Sequence, residues 1–322
     1  MLRSTRPCMR HLRHFGILML GAASSLGAQA ALPHYHVTTS IRDTSSILGP
    51  EPFLSADPTH RRLYGLGNLV VDIDRDLVID TMSFPGAGGY VLAPDMGRGL
   101  ARTGKVFDLK TFAVTGTVHG SDIDGGVYDP VTHRAFLLSD MTTVVDMTTG
   151  KEQTQVNLGA AAWGTADGKG YLFISVDHRS LSIIKVNTTS LRVEQHYDVP
   201  GCNALHGGVT MDRETRRLFF RCYEGLAVVN ADNGQLVTMI PVPRGAHTFD
   251  FDPITKLIFI LADGKLTVIH EEGPNTYRIV QQLPMVGQAA VVDPQTHKVY
   301  GLDLRYANGE NTGILTIAIP GK

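Results

Sequence analysis

One short pattern recurs along the chain and decides what it can fold into: an apolar run closed by an aspartate, a turn, and a second apolar run. Its fullest copy is Phe249-Asp250-Phe251-Asp252-Pro253-Ile254-Thr255-Lys256-Leu257-Ile258-Phe259-Ile260. Pro after Asp presets the backbone for a turn, and the Asp carboxylate accepts hydrogen bonds from amides beyond it, so the stretch reads as a β-hairpin. Further copies begin at Asp57-Pro58, Asp129-Pro130, Asp212-Arg213 and Asp293-Pro294, with weaker ones at Pro94-Asp95 and Ala166-Asp167. The seven turns fall near residues 57, 95, 129, 167, 212, 252 and 293, 34 to 45 residues apart. Strand repeats of this period stack their faces on one another, and the architecture they predict is an all-β, seven-bladed propeller of four-stranded antiparallel blades.

The first thirty residues stand outside that repeat. Arg3, Arg6, Arg10 and Arg13 precede a short apolar run from Phe15 to Leu20, and Ala28-Gln29-Ala30 is a small-x-small cleavage site. This is the pattern of a secretory signal peptide, with no twin-arginine pair, and it predicts general secretion to the periplasm. The expected organisation is therefore a leader over 1–30 and the propeller over 31–322, with no transmembrane segment. Without the leader, 292 residues remain, about 42 per repeat, and 25 basic residues face 31 acidic ones, a net charge of −6. That balance argues against a general nucleic-acid role, which needs clustered positive charge.

Leader removal also takes Cys8 and leaves Cys202 and Cys222. In an oxidising compartment an even pair is most simply a disulfide. Cys202 precedes the inner strand of the fifth repeat and Cys222 ends the next, antiparallel strand, so both fall at one end of the blade. A Cys/His metal site with His206 is the competing reading.

Third strands are visible at Leu69–Ile73, Thr143–Met147, Leu226–Asn230 and Leu266–Ile269. The last repeat has strands at Ala289–Val292, Lys298–Leu302 and Ile314–Ile319 and ends one strand short. The alternating segment Tyr35–Ile41 is its expected fourth strand, closing the ring. In the second repeat, Arg98 to Leu109 runs from turn to third strand with few residues between, which predicts a clipped second strand or loop.

The unit Asp-Pro-x-Thr followed by His or Lys, then Arg or Lys, then an aromatic two positions on, resembles the secreted bacterial YVTN-type propeller repeat, YncE-like. Cys202-Asn203-Ala204-Leu205-His206-Gly207-Gly208-Val209, with Arg216 to Cys222, is similar to a periplasmic subgroup within it. The resemblance covers nearly all of 31–322 and is specific for fold. Wider relatives include surface-layer proteins, the heavy subunit of quinoprotein amine dehydrogenases, gluconolactonase-like metal hydrolases and streptogramin lyases. The chain departs in its second repeat, which lacks the usual Ser-Asn-Gly loop, and at Leu205, where Pro is commoner.

Loops entering the inner strands gather at one end of a propeller channel. They carry His119, Asp122 and Asp124 before repeat three, His206 before repeat five and His247 before repeat six; the second loops add Asp140, Asp177, His178, Tyr223, Glu224 and Asp263. His119, His206 and His247 are the candidate metal ligands or catalytic groups, and a divalent metal held there would supply a water to attack a lactone or ester. A His base beside a carbonyl would instead serve a lyase. Asp122, Asp124, Asp177, His178, Tyr223 and Glu224 are the candidate ligand-binding set. No HExxH, GxSxG, CxxCH or phosphate-binding glycine loop is present. The opposite, turn-bearing face carries His60, Arg61, Arg62, His133, Arg134, Arg213, Arg216, Arg217, Lys256, His297 and Lys298, read either as turn residues paired with nearby acids or as an anion-facing patch. Trp163, the only tryptophan, reads as core or channel wall. The leading expectation is a binding scaffold for an unidentified periplasmic protein or small molecule. The alternatives are a metal-dependent lactonase or lyase, and an accessory protein of a periplasmic quinoprotein dehydrogenase.

Overall fold

Each repeat folds as a four-stranded meander because its first three strands must be covered on both faces by neighbouring blades. The strand Leu257–Ala262 is buried at every position, and Arg134–Leu138 at all but its first, so both read as continuous apolar runs rather than alternating ones. The outermost strand Leu77–Thr81 is exposed throughout. The computed structural model describes residues 32–43, 53–84, 89–119, 125–159, 161–178, 180–202, 205–244, 248–307 and 310–321. The side chains of Asp177, His178 and His206 are outside that description, as are residues 1–31 with the expected leader.

Among the described residues, 28 strands form seven antiparallel sheets of four. The inner strands are Ser55–Asp57, Tyr90–Ala93, Gly125–Asp129, Ala161–Ala166, Leu205–Asp212, Phe249–Asp252 and Ala289–Val292. The ring closes as the repeat pattern predicts. Tyr35–Asp43 pairs antiparallel with Glu310–Pro320 and becomes the fourth strand of the blade that begins at Ala289–Val292. Tyr35 also reaches the preceding blade: its amide donates to Gln281 Oε1 at 2.8 Å, its carbonyl accepts from Gln281 Nε2 at 2.7 Å, and its ring meets Phe259 edge-on at 5.1 Å.

Blade two keeps all four strands, Tyr90–Ala93, Arg98–Ala101, Lys105–Asp108 and Val114–Thr117. Of the two shortenings expected there, the loop is the one found. Arg102 to Gly104 is a tight turn closed by Gly104 N–H donating to the Ala101 carbonyl at 2.8 Å. The first hairpin of this blade lacks the buried aspartate and turns instead through a single 3-10 turn, Pro94–Met96, capped by Gly97 at φ +62°.

Cys202 and Cys222 form a disulfide with Cα atoms 5.2 Å apart, at the start of blade five. No helix among the described residues is long and apolar enough to cross a membrane.

Candidate functional site: the channel mouth

The two ends of the ring differ in what their polar groups are free to do. On the turn face the repeated aspartates Asp57, Asp129, Asp212, Asp252 and Asp293 are buried, each accepting bonds from the turn it opens; Asp252, for example, takes Ile254 N–H at 2.9 Å and Thr255 Oγ1 at 2.7 Å. Four residues beyond each aspartate the backbone turns left-handed, at Arg61, His133, Arg216, Lys256 and His297, with φ between +54° and +59°. That conformation throws the side chain back over the preceding blade. Arg61 reaches Asp293 at 2.9 Å, Arg216 reaches Asp167 at 2.9 Å, Lys256 reaches Asp212 at 3.0 Å and His297 reaches Asp252 at 2.6 Å. His133 makes a longer, exposed contact with Asp95 at 3.4 Å.

The next residue points the other way. Arg62 donates to the Leu109 carbonyl, Arg98 to Met147 and Thr148, Arg134 to Thr188 and Thr189, Arg217 to Pro274, and Lys298 to Ile73. The basic dipeptide of the repeat is thus an inter-blade rivet, one half reaching back and the other forward. His60 bonds Asp57 at 2.7 Å within its own turn, and Arg213 Nε donates to the Ala166 carbonyl at 3.0 Å. Every one of the eleven basic turn residues therefore has a partner in the ring. Of the two readings, pairing describes the geometry: each of these residues is engaged through at least one nitrogen, although Arg62 Nε is buried without a partner.

The other end is different. Where the inner strands begin, residues from six of the seven blades enclose a cavity of about 160 Å³. Its floor is an aromatic pair that spans the channel. Phe53 of blade one and Trp163 of blade four stack with ring centroids 4.9 Å apart and planes 24° from parallel. Glycines in the intervening walls leave room beside these rings. A Cβ on Gly89, where φ is +119°, would sit 3.2 Å from the Phe53 Cβ, and one on Gly126 would sit 2.2 Å from Val91 Cγ2. Polar groups at the rim are few: Ser55 Oγ is spent on the Tyr90 carbonyl at 2.7 Å, and Thr248 lies beside Phe249.

Among the described residues one charged side chain lines this cavity, Arg102. The tight turn of blade two puts it there, its backbone N–H held by the Gly89 carbonyl at 3.3 Å. Its Nη1 is buried and has no hydrogen-bond partner. A buried N–H left unpaired costs about 1–3 kcal/mol, more when it belongs to a charged group. The half-buried arginines of the turn face are all bonded; Arg102 is held at the channel without a carboxylate.

The sequence candidates fall as follows. His119 is exposed, with Nδ1 2.7 Å from Glu152 Oε2 and its backbone N–H donating to the same oxygen at 3.0 Å. That contact lowers the pKa of Glu152, the His119 amide bond being the largest cause. Glu152 lies on Lys151–Asn157, the fourth strand of its blade, so His119 sits at the outer end of its loop. His206 lies on the inner strand of blade five and Asp177 and His178 at a hairpin tip of blade four, by their backbones alone. Asp122, Asp124 and His247 lie outside the described residues. Among the described residues no group of three or more His, Cys, Asp or Glu is arranged to hold a metal.

Tyr223 is brought under the guanidinium of Arg244, 3.8 Å from ring centroid to Cζ, and the Tyr223 hydroxyl bonds Arg244 Nη1. Beside them Arg221 is fully buried and donates to the carbonyls of Gly225 at 2.8 Å and Pro243 at 2.7 Å, and to that of Cys222. Burial, then the Arg244 charge, lowers the pKa of Arg221, while Glu224 acts in the opposite direction. Sequence reasoning missed Arg102 and Phe53. The available signal was an arginine at the end of an apolar second strand with no acid within five residues.

No protein-family model matches the chain, and no curated protein matches it. Among the 994 solved chains that match it is Kuenenia stuttgartiensis hydrazine synthase, with a TM-score of 0.65 at 12% identity, covering 81% of this chain and 93% of that one. At that identity the likeness is one of fold, which hosts many unrelated activities.

Proposed function

We propose that this protein is a periplasmic binding scaffold whose channel mouth takes a small molecule over the Phe53–Trp163 pair. The observation that carries the reading is the cavity of about 160 Å³ at the inner-strand entrances, floored by stacked rings and walled by apolar side chains and glycine backbone. It is concave, mostly apolar and supplied with few polar groups, which is how small-molecule sites are built. The leader-like residues 1–30 and the disulfide support an oxidising, exported location.

Trp163 supplies the test, because it is the only tryptophan and forms the cavity floor. Intrinsic fluorescence of the protein, titrated with a panel of ring-sized neutral, anionic and cationic compounds, is expected to change saturably with some members. A Trp163-silent panel, together with unchanged melting, removes the small-molecule reading and moves attention to a protein partner. Elemental analysis of untagged protein runs beside it. One equivalent of a transition metal, lost on replacing His119, His206 and His247 by Ala, would replace the scaffold reading with the metal-dependent hydrolase or lyase.

A further inference from the structure

We infer that the channel site selects a planar organic anion, a carboxylate carried on an aromatic or similarly flat group, with Arg102 as the residue that recognises its charge. The inference rests on the small-molecule reading above and goes beyond it by fixing the ligand's chemical class.

Three observations converge. The first is size. An apolar protein cavity of about 150 Å³ accepts benzene, and the channel cavity measures about 160 Å³, enough for one six-membered ring with a small substituent. The second is shape. The floor is a stacked pair, Phe53 on Trp163 at 4.9 Å, and Gly89, Gly126, Gly164 and Gly208 present backbone rather than side chains around it. A flat group lies against such a floor; a branched or tetrahedral one does not fill it.

The third is charge. Among the described residues Arg102 is the one ionised side chain on the lining and no acid stands beside it, and its buried Nη1 lacks a partner. A guanidinium presents a planar fork that matches a carboxylate with two parallel hydrogen bonds, and it stays charged at any pH the protein meets. A carboxylate bound there satisfies the orphan nitrogen; a neutral or cationic ligand leaves it buried and unpaired. The excess of acidic residues over the whole chain gives no long-range attraction to an anion, and charges farther off than about 8 Å are screened in physiological salt. Selectivity for the anion therefore comes from Arg102 itself.

The test uses the whole protein purified without a tag, with benzoate, benzamide and benzylamine as probes of one shape and three charges. Binding is read by Trp163 fluorescence and by calorimetry. Benzoate is expected to bind at least tenfold more tightly than benzamide, with benzylamine weakest. Arg102→Gln is expected to erase the benzoate preference while leaving benzamide affinity within about twofold, and Arg102→Lys to keep part of it. Equal affinity for benzoate and benzamide in the wild type overturns the anion inference and leaves the small-molecule reading standing. So does saturable quenching by other panel members with none by benzoate. Silence of the entire panel sinks both. Should Arg102→Gln fail to fold, the wild-type ratio among the three probes still decides.

Discussion

At the scale of single residues, the turn-face ion pairs are unequal in what they contribute. Asp293 is fully buried and its partner Arg61 mostly so, whereas Arg278 and Glu272 meet in the open. Removing one member of a buried pair strands the other charge, a loss of about 3–5 kcal/mol in the interior, while exposed pairs are worth about 0–1 kcal/mol. Because Arg61 is partly solvated, Arg61→Ala is expected to cost about 2–3 kcal/mol and Arg278→Ala under about 0.5 kcal/mol, read from urea midpoints, where added salt does not mask the charges. Glu271 makes the complementary case. Burial, then the neighbouring Asp212 carboxylate, pushes its pKa up to about 7; Thr215 and Tyr277 bond Oε1 at 3.0 and 3.2 Å, and Oε2 is buried without a partner. Lys256 bonds Asp212 rather than Glu271, and Arg217 acts on Tyr277. The folded state holds this proton where the unfolded chain releases it. The stabilisation is therefore full below the ordinary glutamate pKa and is lost as pH rises through about 7. Glu271→Gln is expected to raise the melting temperature at pH 8 and to leave it nearly unchanged at pH 5. Equal effects at both values would show that Glu271 does not titrate in this range.

At the scale of elements, the disulfide ties the entry of the fifth blade's inner strand to the end of its second strand. The bridge closes a loop of 20 residues, which corresponds to about 3 kcal/mol of chain entropy removed from the unfolded state. The double variant Cys202→Ala, Cys222→Ala is expected to lose roughly that much and to melt lower than the oxidised protein by several degrees. Reduced wild type should match it; a reduced protein as stable as the oxidised one would mean the bridge constrains nothing. The hairpins were legible because each repeats a local rule: an aspartate that caps its own turn needs only the residues next to it. Blade two was harder to read. Ala93 stands where the other blades have a buried aspartate, and Gly97 takes the left-handed position, so the local signal faded although all four strands formed. Gly170 does the same in blade four. At both places the back-reaching cation is missing, and at the first His60 supplies Asp57 from within the blade instead.

At the scale of the whole molecule, closure is the step that makes seven marginal sheets one structure. Tyr35–Asp43 covers the edge of Glu310–Pro320, and the seam between blades seven and one is riveted by Arg61 to Asp293, by Lys298 to Asp76 at 2.8 Å and by the Tyr300 hydroxyl to the Ile73 carbonyl at 3.0 Å. Deleting residues 31–43 exposes the edge of Glu310–Pro320 and removes the contacts that the buried Tyr35 makes with blade six, two failures that reinforce each other. That truncation is expected to lose the cooperative melting transition of the full ring. A native-like transition in it would show that the carboxy-terminal blade is stable with three strands.

The sequence by itself determined what local chemistry and periodicity can carry. The Asp-opened turn set the hairpin, its recurrence set seven blades, the unpartnered strands at the two ends set the closure, and the even pair Cys202 and Cys222 within the repeats set the disulfide. Only the tertiary structure decided which polar groups stay free. Whether Arg61 is an anion receptor or a rivet depends on Asp293, more than two hundred residues away, and on a left-handed backbone that aims one at the other. Phe53 and Trp163 lie far apart in the chain and on different blades, and they become a floor only once the ring brings both to the axis. Arg102 looks like one more basic turn residue until the ring places it at the channel, where its side chain lines the cavity with a buried nitrogen that no neighbour pairs. Satisfaction of these basic residues is largely a property of the closed ring, because most of them find an acceptor on a neighbouring blade, and no spacing along the chain encodes that.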